Sequence, residues 1–427
     1  MKATVSFYTL GCRLNQAETA ILECNFERDG YTVVDFLQPA DWVVINTCTV
    51  TENSEADTRQ LVHKINRMNS RTKIALIGCQ AQVQKEKLLE LPGVFWVIGN
   101  ASKMELPQIL NQVDDSSTLV FTPAIPKESF TISGAGIDRR HTRANLKIQD
   151  GCDSFCSFCA VPYARGRARS RDFADLQRAA RELVAAGHQE LVLTGINVGS
   201  YQNQDKSIVE VISALENIEK LQRIRISSIE PTSISPTIIE KMASSPKFCR
   251  YLHLPLQSGN DEILQAMNRK YTTAEFVRFV WLVRQRIPDV CLGVDVIVGF
   301  PSETESHFAI TYQLLQELPL SYFHVFSYSD RQQARSSRLV HKVPVKMIAE
   351  RSRILRELSL RKRRAYLEGF VGKNERVLFE QKKDGYWNGL TDTYIRVRVK
   401  SEFDLQNQLL PVHLERIDKQ SIIGSLS

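Results

Sequence analysis

The stretch Cys152-Asp-Ser-Phe-Cys156-Ser-Phe-Cys159 decides how the rest of this chain is interpreted. Its C-x3-C-x2-C spacing lets three thiolates converge on one face of a cubane iron-sulfur cluster. No fourth cysteine lies close by in the sequence, so one iron is left open to another ligand. Structural zinc is the alternative, but zinc sites usually combine two short ligand pairs, and no second pair of cysteines or histidines follows. The spacing therefore predicts a 4Fe-4S cluster on these three cysteines.

The residues around this motif predict a partial β/α barrel. Six apolar strands alternate with helical stretches between Asn145 and Asp330, and the predicted strands are residues 146–149, 190–194, 223–228, 251–255, 293–298 and 322–326. Six parallel units close only part of an eight-stranded barrel. We therefore expect a lateral opening wide enough for a bulky substrate.

Polar side chains follow the predicted barrel strands, at the edge where β/α barrels place their active groups. Asn197, Glu230 and Gln257 offer hydrogen bonds to a bound cofactor, and Phe158 lies inside the cysteine motif itself. Each position alone is weak evidence for a binding site, because a polar turn after a strand is common. Their shared location predicts cofactor binding by these four residues.

Three further cysteines lie in the amino-terminal region, which alternates apolar strands with helical stretches and is typical of an α/β domain with a parallel sheet. Cys12, Cys48 and Cys79 each follow a predicted strand, at residues 5–10, 42–45 and 73–77. Ligands of open α/β sheets bind at that edge. Ordinary buried cysteines are the alternative, but three at one edge predict a second 4Fe-4S cluster.

The carboxyl-terminal region is basic and predicted to bind nucleic acid. Sixteen Lys and Arg face seven acids between Lys342 and Lys400. A basic helix over 343–367 precedes short alternating strands at 376–380, 394–399 and 410–415, the pattern of a small antiparallel barrel that binds oligonucleotides. Arg396 and Arg398 share one strand face, and Tyr386, Trp387 and Tyr394 are predicted to stack on bases.

A second basic segment, from Asp138 to Arg171, carries eight Lys and Arg against three acids. Its arginines, above all Arg165 and Arg167, are predicted to contact RNA phosphates, with pairing to barrel carboxylates as the alternative.

Composition limits the other possibilities. Nine cysteines in 427 residues are too few for a disulfide scaffold, and the amino terminus lacks a signal-peptide pattern. No apolar run is long enough to span a membrane. We therefore expect a cytoplasmic protein. The predicted division is an α/β domain over 1–112, a linker over 113–137, the barrel over 138–367 and the small β-barrel over 368–427.

The whole chain resembles the radical S-adenosylmethionine (SAM) methylthiotransferases, which join such an α/β domain, a radical SAM partial barrel and an RNA-binding TRAM barrel. The core motif runs from Cys152 through Ala160-Val-Pro-Tyr-Ala-Arg-Gly-Arg-Ala-Arg-Ser-Arg171. Leu10-Gly-Cys-Arg-Leu-Asn-Gln-Ala-Glu-Thr19 and Thr194-Gly-Ile-Asn-Val-Gly-Ser-Tyr201 look most like the branch that modifies threonylcarbamoyladenosine beside the tRNA anticodon.

The resemblance implies two uses of SAM, bound in part by Phe158, Asn197, Glu230 and Gln257. One SAM methylates a sulfur held at the auxiliary cluster on Cys12, Cys48 and Cys79, and the other is cleaved to a 5'-deoxyadenosyl radical. It also implies the tRNA anticodon loop as substrate and an electron donor such as flavodoxin or ferredoxin, with no stable protein partner and no membrane. The same chemistry on isopentenyladenosine or on a ribosomal-protein aspartate, and a non-catalytic iron-sulfur RNA-binding protein, remain as alternatives.

Overall fold

The computed structural model describes residues 3–49, 52–112, 117–138 and 140–427. Three units follow one another along the chain: an α/β domain, a partial β/α barrel and a closed β-barrel. None of the helices in these ranges combines the length and apolar character needed to cross a membrane.

The amino-terminal unit is a six-stranded parallel sheet in the order β2-β1-β3-β4-β5-β6. Its elements are β1 Thr4–Thr9, α1 Arg13–Arg28, β2 Thr32–Val34, β3 Trp42–Thr47, α2 Glu52–Met68, β4 Lys73–Gly78, α3 Cys79–Gln84, β5 Val94–Ile98, α4 Leu106–Gln112 and β6 Leu119–Phe121. Trp42 and Val44 enter one apolar core and Val43 and Ile45 the other, so β3 is covered on both faces.

The sheet extends into the segment that the sequence predicts as a linker. Residues 113–116 of that segment lie outside the described residues, but β6 pairs with β5 from Trp96↔Leu119 to Ile98↔Phe121. The serine- and proline-rich composition that predicts a linker conceals this short edge strand.

The central unit is the predicted partial barrel, with six parallel strands in two halves, β13-β10-β7 and β14-β15-β16. Its elements are β7 Arg143–Lys147, β8 Gln149–Asp150, α5 Val161–Arg165, β9 Arg169–Ser170, α6 Phe173–Ala185, β10 Glu190–Thr194, β11 Gln202–Asn203, β12 Lys206–Ser207, α7 Ile208–Glu216, β13 Arg223–Ile226, α8 Pro236–Ser244, β14 Tyr251–Gln257, α9 Asp261–Ala266, α10 Thr273–Arg286, β15 Cys291–Val298, α11 Glu305–Glu317, β16 Tyr322–Ser327 and α12 Val345–Glu368. The Ile229 N–H donates to the His253 carbonyl at 3.2 Å, which joins the two halves.

The carboxyl-terminal unit is a closed barrel in the order β17-β18-β19-β21-β20, which agrees with the predicted small barrel, but β19 and β21 pair in parallel and only the other pairs are antiparallel. Its strands are β17 Asn374–Lys383, β18 Tyr386–Leu390, β19 Arg396–Val399, β20 Leu409–Asp418 and β21 Ser421–Leu426. Sequence periodicity did not predict β18 or β21. Strand β18 contains Asn388 and Gly389, a pair of residues that favours a turn.

Both outer units contact the central barrel. Helix α1 packs against β7 and β10. At the amino ends of the barrel strands, Arg223 donates to the Leu390 carbonyl at 2.8 Å and Arg225 to the Thr391 carbonyl at 3.1 Å. The small barrel therefore closes the bottom of the partial barrel, and its interior is reached from the top and the open side.

Candidate active site

The loop that carries Cys152, Cys156 and Cys159 is held by its own backbone. Gly151, with a φ of +70°, brings the chain so close to the next loop that a Cβ there would lie 1.9 Å from the Arg167 carbonyl oxygen. The Cys152 N–H then donates to the Gly166 carbonyl at 3.1 Å. Glycine is needed here both for the left-handed conformation and for this approach.

Each of the three sulfurs receives a hydrogen bond. The Ser154 N–H lies 3.4 Å from Cys152 Sγ, the Val161 N–H 3.4 Å from Cys159 Sγ, and Arg269 donates to Cys156 Sγ at 3.3 Å. Burial raises the pKa of the Cys159 thiol to about 12. Donors at buried sulfurs suit thiolates that a cluster holds in the charged form.

Arg269 is a site residue that sequence reasoning missed. Its guanidinium pairs with Glu230, donates to the Pro255 carbonyl at 3.1 Å and reaches Cys156. It therefore connects the cysteine loop to the ends of β13 and β14. The sequence analysis looked for polar site residues only directly after the barrel strands, whereas Arg269 follows helix α9. Its place in the polar segment Met267-Asn-Arg-Lys-Tyr271 is the one signal in the sequence that could have identified it.

The amino-terminal cysteines meet at one sheet edge, as predicted. Thr47 of β3 is in register with Gly78 of β4, so Cys48 and Cys79 leave neighbouring strands at the same level. Cys12 is the residue before α1, and α1 follows β1. Strand β1 neighbours β3 on the side opposite to β4. Cys12 is exposed and Cys48 and Cys79 are buried.

Close packing keeps these sulfurs together. Gly11 has a φ of +93°, and a Cβ on it would lie 2.7 Å from Cys48 Sγ. Asn100 donates to Cys79 Sγ at 3.6 Å and to the Ala164 carbonyl at 2.7 Å. Asn100 thus ties this edge to helix α5, which follows Cys159.

The sulfur positions disfavour the zinc alternative. Tetrahedral zinc with sulfur at about 2.3 Å needs sulfurs about 3.8 Å apart. Neither cysteine triad is among the groups of described residues whose donor atoms all lie within 4.8 Å of one another. A 4Fe-4S cluster does not require such closely spaced sulfurs, because each cysteine binds a different iron.

A buried ion network joins the two cysteine regions. Glu18 of α1 accepts hydrogen bonds from Lys147 at 2.6 Å, from Arg165 at 3.0 Å and from Lys103. Arg165 also pairs with Asp150 at 2.9 Å. Burial raises the pKa of Glu18, but the three cations more than offset this and hold it well below its usual range.

This placement contradicts the predicted RNA-binding role of Arg165. Arg165 is only 1% exposed to solvent, and its guanidinium also donates to Asn15 Oδ1 at 2.6 Å. Arg169 and Arg171 of the same segment likewise pair with Asp150 and Asp175. The arginine spacing that predicted phosphate contacts serves the pairing with carboxylates, because α1 covers this side of the barrel.

Arg167 differs from its neighbours. Its side chain is 56% exposed, lies 3.3 Å from Asp153 and covers the ring of Phe155 at 4.6 Å. It is available to an approaching phosphate beside the cysteine loop.

The four predicted cofactor residues surround the mouth of the barrel in different ways. Asn197 uses its amide within the protein, donating to Ser233 Oγ at 3.0 Å and accepting from the Glu230 N–H at 3.3 Å. Glu230 pairs with Arg269. Gln257 has a φ of +70° at the end of β14, and Phe158 packs against the small apolar cluster around Phe300.

The predicted RNA face of the small barrel is only partly free. Arg396 is exposed, whereas Arg398 pairs with Asp418 at 2.5 Å and covers the ring of Tyr386. Trp387 is in the barrel core. Tyr394 stacks on Tyr251, with ring centroids 4.5 Å apart. The prediction that Trp387 and Tyr394 stack on bases is therefore wrong.

Comparisons with known families divide the chain as the fold does. Residues 146–315 match the Radical SAM superfamily, and residues 4–99 match the family described as Uncharacterized protein family UPF0004.

Several relatives match over nearly the whole chain. A threonylcarbamoyladenosine tRNA methylthiotransferase MtaB from Aquifex aeolicus is 36% identical over 92% of this chain and 96% of its own length. The protein of the same name from Bacillus subtilis is 36% identical over 96% of this chain and 94% of its own. A tRNA-2-methylthio-N(6)-dimethylallyladenosine synthase from Cereibacter sphaeroides is 32% identical over 97% of both.

Among solved structures, the radical SAM methyltransferase TsrM from Kitasatospora setae matches with a TM-score of 0.57 and 15% identity, over 78% of this chain and 75% of that chain. The cobalamin-dependent radical SAM enzyme OxsB matches with a TM-score of 0.51 and 11% identity, over 78% of this chain and 54% of that chain. At these identities the likeness concerns the fold alone.

Proposed function

Because this chain belongs to the radical SAM methylthiotransferases, we propose that it converts N6-threonylcarbamoyladenosine beside the anticodon of tRNA to its 2-methylthio derivative. The family predicted from the motifs is confirmed, and the protein is a radical SAM enzyme that uses SAM and 4Fe-4S clusters. The substrate is supported above all by relatives of that name at 36% identity over nearly the full length of both chains.

The two cysteine sets are the proposed cluster ligands: Cys152, Cys156 and Cys159 for the SAM cluster, and Cys12, Cys48 and Cys79 for the auxiliary one. Bound SAM and clusters supply the electron transfer and carbon-sulfur bond formation that side-chain acids and bases cannot perform at an adenine ring carbon. The chain's own part is positioning. Arg269 holds Cys156 and Glu230, and the Glu18 network fixes one cysteine region against the other.

Glu230, Asn197, Gln257 and Phe158 remain the proposed SAM-binding residues. Glu230 and Asn197 are already engaged with Arg269 and Ser233, so they would act mainly by shaping the mouth of the barrel. Among the described residues the Gln257 side chain makes no such hydrogen bond or ion pair, so it is the most available of the three polar groups to a ligand.

The tRNA partner itself follows from the proposed substrate. Single-stranded anticodon loops can splay out a base and stack it, which suits a target inside the open barrel. An electron donor such as flavodoxin or ferredoxin and a cytoplasmic location stay predictions.

The second candidate substrate is N6-dimethylallyladenosine (isopentenyladenosine) in tRNA, because relatives named for that nucleoside reach 32% identity over 97% of this chain. A single experiment separates the two. Nucleoside mass spectrometry of tRNA from cells with and without the gene should show the 2-methylthio form of threonylcarbamoyladenosine disappearing. Loss of 2-methylthio-dimethylallyladenosine alone would contradict the proposal and favour the second candidate.

We expect Arg396→Ala to weaken tRNA binding more than Arg398→Ala. Arg396 is free to meet a phosphate, whereas Arg398 must first leave Asp418. Losing one phosphate contact should reduce the slope of log K against log salt concentration by about 1. Fluorescence anisotropy with labelled tRNA measures this.

Arg353→Ala is the matched control, because Arg353 is an exposed arginine of α12, paired with Glu350 and Glu357, outside the small barrel. Equal salt slopes for Arg396→Ala and Arg353→Ala would show that the small barrel does not contact phosphate through Arg396.

A further inference from the structure

The inner face of the partial barrel carries several polar side chains along the middle part of its strands. On β14 and β15, Leu252, Leu254, Val294 and Val296 face the helices and enter the main apolar core. Because strand side chains alternate, the residues between them face the interior. The polar residues on this face include Asn145 on β7, Ser227 just after β13, His253 on β14, Asp295 on β15 and His324 on β16, and we name the space that they line the barrel recess.

Asp295 holds the two imidazoles of the recess in place. His253 Nε2 lies 2.8 Å from Asp295 Oδ1, and His324 Nδ1 lies 3.6 Å from the same oxygen. On the other side of its ring, His253 Nδ1 contacts the Tyr322 hydroxyl at 3.2 Å. With Nδ1 turned to Asp295, the Nε2 edge of His324 is left to face a ligand.

The recess is accessible at β16. Helix α12 covers the backbone edge of this strand through Ser359, which bonds the N–H and the carbonyl of Phe323, but the His324 side chain is 56% exposed. Phe326, two residues along the same face, is 42% exposed. A planar group that enters from this side would meet an aromatic ring and an imidazole together.

Two buried acceptors, one on β7 and one just after β13, have no partner in the described structure. Asn145 Oδ1 and Ser227 Oγ are both shielded from solvent and make no hydrogen bond. Leaving such a group unpaired costs about 1–3 kcal/mol, so a ligand with N–H donors would satisfy them.

The recess adjoins both cysteine regions. Asn145 lies on β7, the strand that leads to Cys152. From the other side, Arg13, next to Cys12, donates to the Tyr394 hydroxyl at 3.0 Å, and Tyr394 stacks on Tyr251. The Tyr251 and Tyr322 hydroxyls lie 3.0 Å apart, and Tyr322 contacts His253. Strand β7 and this chain of contacts link the recess to the loop of Cys152 and to the residue next to Cys12.

We propose that the barrel recess binds the N6 substituent of the target adenosine and selects one that is polar and carries a carboxylate. This inference rests on the proposed function and adds the residues that recognise the N6 substituent of the substrate. In its doubly protonated form, with Nδ1–H toward Asp295, His324 donates through Nε2 to the carboxylate, while Asn145 and Ser227 accept from the N–H groups of a urea linkage. An apolar alkenyl substituent would leave all three unpaired, and sites built for hydrogen bonds reject such analogues strongly.

The test compares two RNA substrates, anticodon stem-loops with threonylcarbamoyladenosine or dimethylallyladenosine, on the reconstituted full-length enzyme. In His324→Ala, kcat/KM for the threonylcarbamoyl RNA should fall about tenfold or more, the value of one hydrogen bond to a charged group. The dimethylallyl RNA should be used no less well than before. His324→Gln, which keeps a donor, should recover part of the loss. SAM cleavage without RNA reports that the cluster site is intact.

His141→Ala is the matched control, because His141 also sits beside an aspartate, Asp138 at 2.7 Å, but outside the barrel, and it should leave the substrate preference unchanged. An unchanged preference in His324→Ala overturns the inference, as does an equal loss on both RNAs. Metal analysis that finds one divalent ion per chain, lost in His324→Ala, also overturns it, since His253, Asp295 and His324 would then be metal ligands. A wild-type enzyme inactive on threonylcarbamoyl RNA would refute the proposed function itself, whereas an active wild type with an unaffected His324→Ala refutes only the recess.

Discussion

Replacing Cys152, Cys156 and Cys159 together with alanine should abolish reductive cleavage of SAM, whereas replacing Cys12, Cys48 and Cys79 should spare that cleavage and stop methylthiolation. The two sets lie at the ends of different sheets, so each can be removed without dismantling the other. The loop of the first set is held by Gly151 and the Cys152 N–H, and the second by the register of β3 and β4. The two defects should therefore separate.

Anaerobic reconstitution should give about eight iron per chain in the wild type and about four in either variant, at four per cubane. Chromatography of 5'-deoxyadenosine measures SAM cleavage, and mass spectrometry of the RNA measures product. The control replaces the other three cysteines, Cys24, Cys249 and Cys291, and should keep all iron. Loss of 5'-deoxyadenosine in both triple variants would contradict this division of roles, as would full iron in the Cys12, Cys48 and Cys79 variant.

Arg165→Ala should destabilise the protein far more than Arg167→Ala, although the two arginines are two residues apart. Arg165 is buried between Glu18 and Asp150, and removing one partner of a buried ion network costs about 3–5 kcal/mol, because the remaining charges are left uncompensated. Arg167 is half exposed, so its loss should change the free energy of unfolding by about 0.5 kcal/mol or less.

Urea unfolding followed by tryptophan fluorescence compares the two variants, and Arg165→Lys, which restores the charge without the planar fork, should recover part of the loss. The same network joins α1, which begins beside Cys12, to the loop after Cys159. Arg165→Ala should therefore also yield less methylthio product per 5'-deoxyadenosine formed. Equal stability of the two variants would show that the Glu18 network does not hold the two units together.

Local patterns predicted much of the fold from the sequence. Apolar runs of four to six residues followed by helical periodicity placed the main strands of the first two units, because period and burial are set within one element. The edge strand β6 and the barrel strands β18 and β21 were missed, since short strands in polar or glycine-containing segments are stabilised by their neighbours and not by their own composition.

The sequence by itself identified the family and predicted the two cysteine sets, because ligand type and spacing are local properties of Cys152, Cys156 and Cys159, and the strand-end positions of Cys12, Cys48 and Cys79 follow from the apolar runs before them. What each arginine does was decided only by the tertiary structure. Arg165 and Arg167 are alike in sequence, yet α1 buries the first against Glu18 and leaves the second in solvent. The placement of Arg269 against Cys156, and the meeting of His253, Asp295 and His324, likewise depend on elements far apart in the chain. Such contacts arise from packing between elements, and no local pattern encodes them.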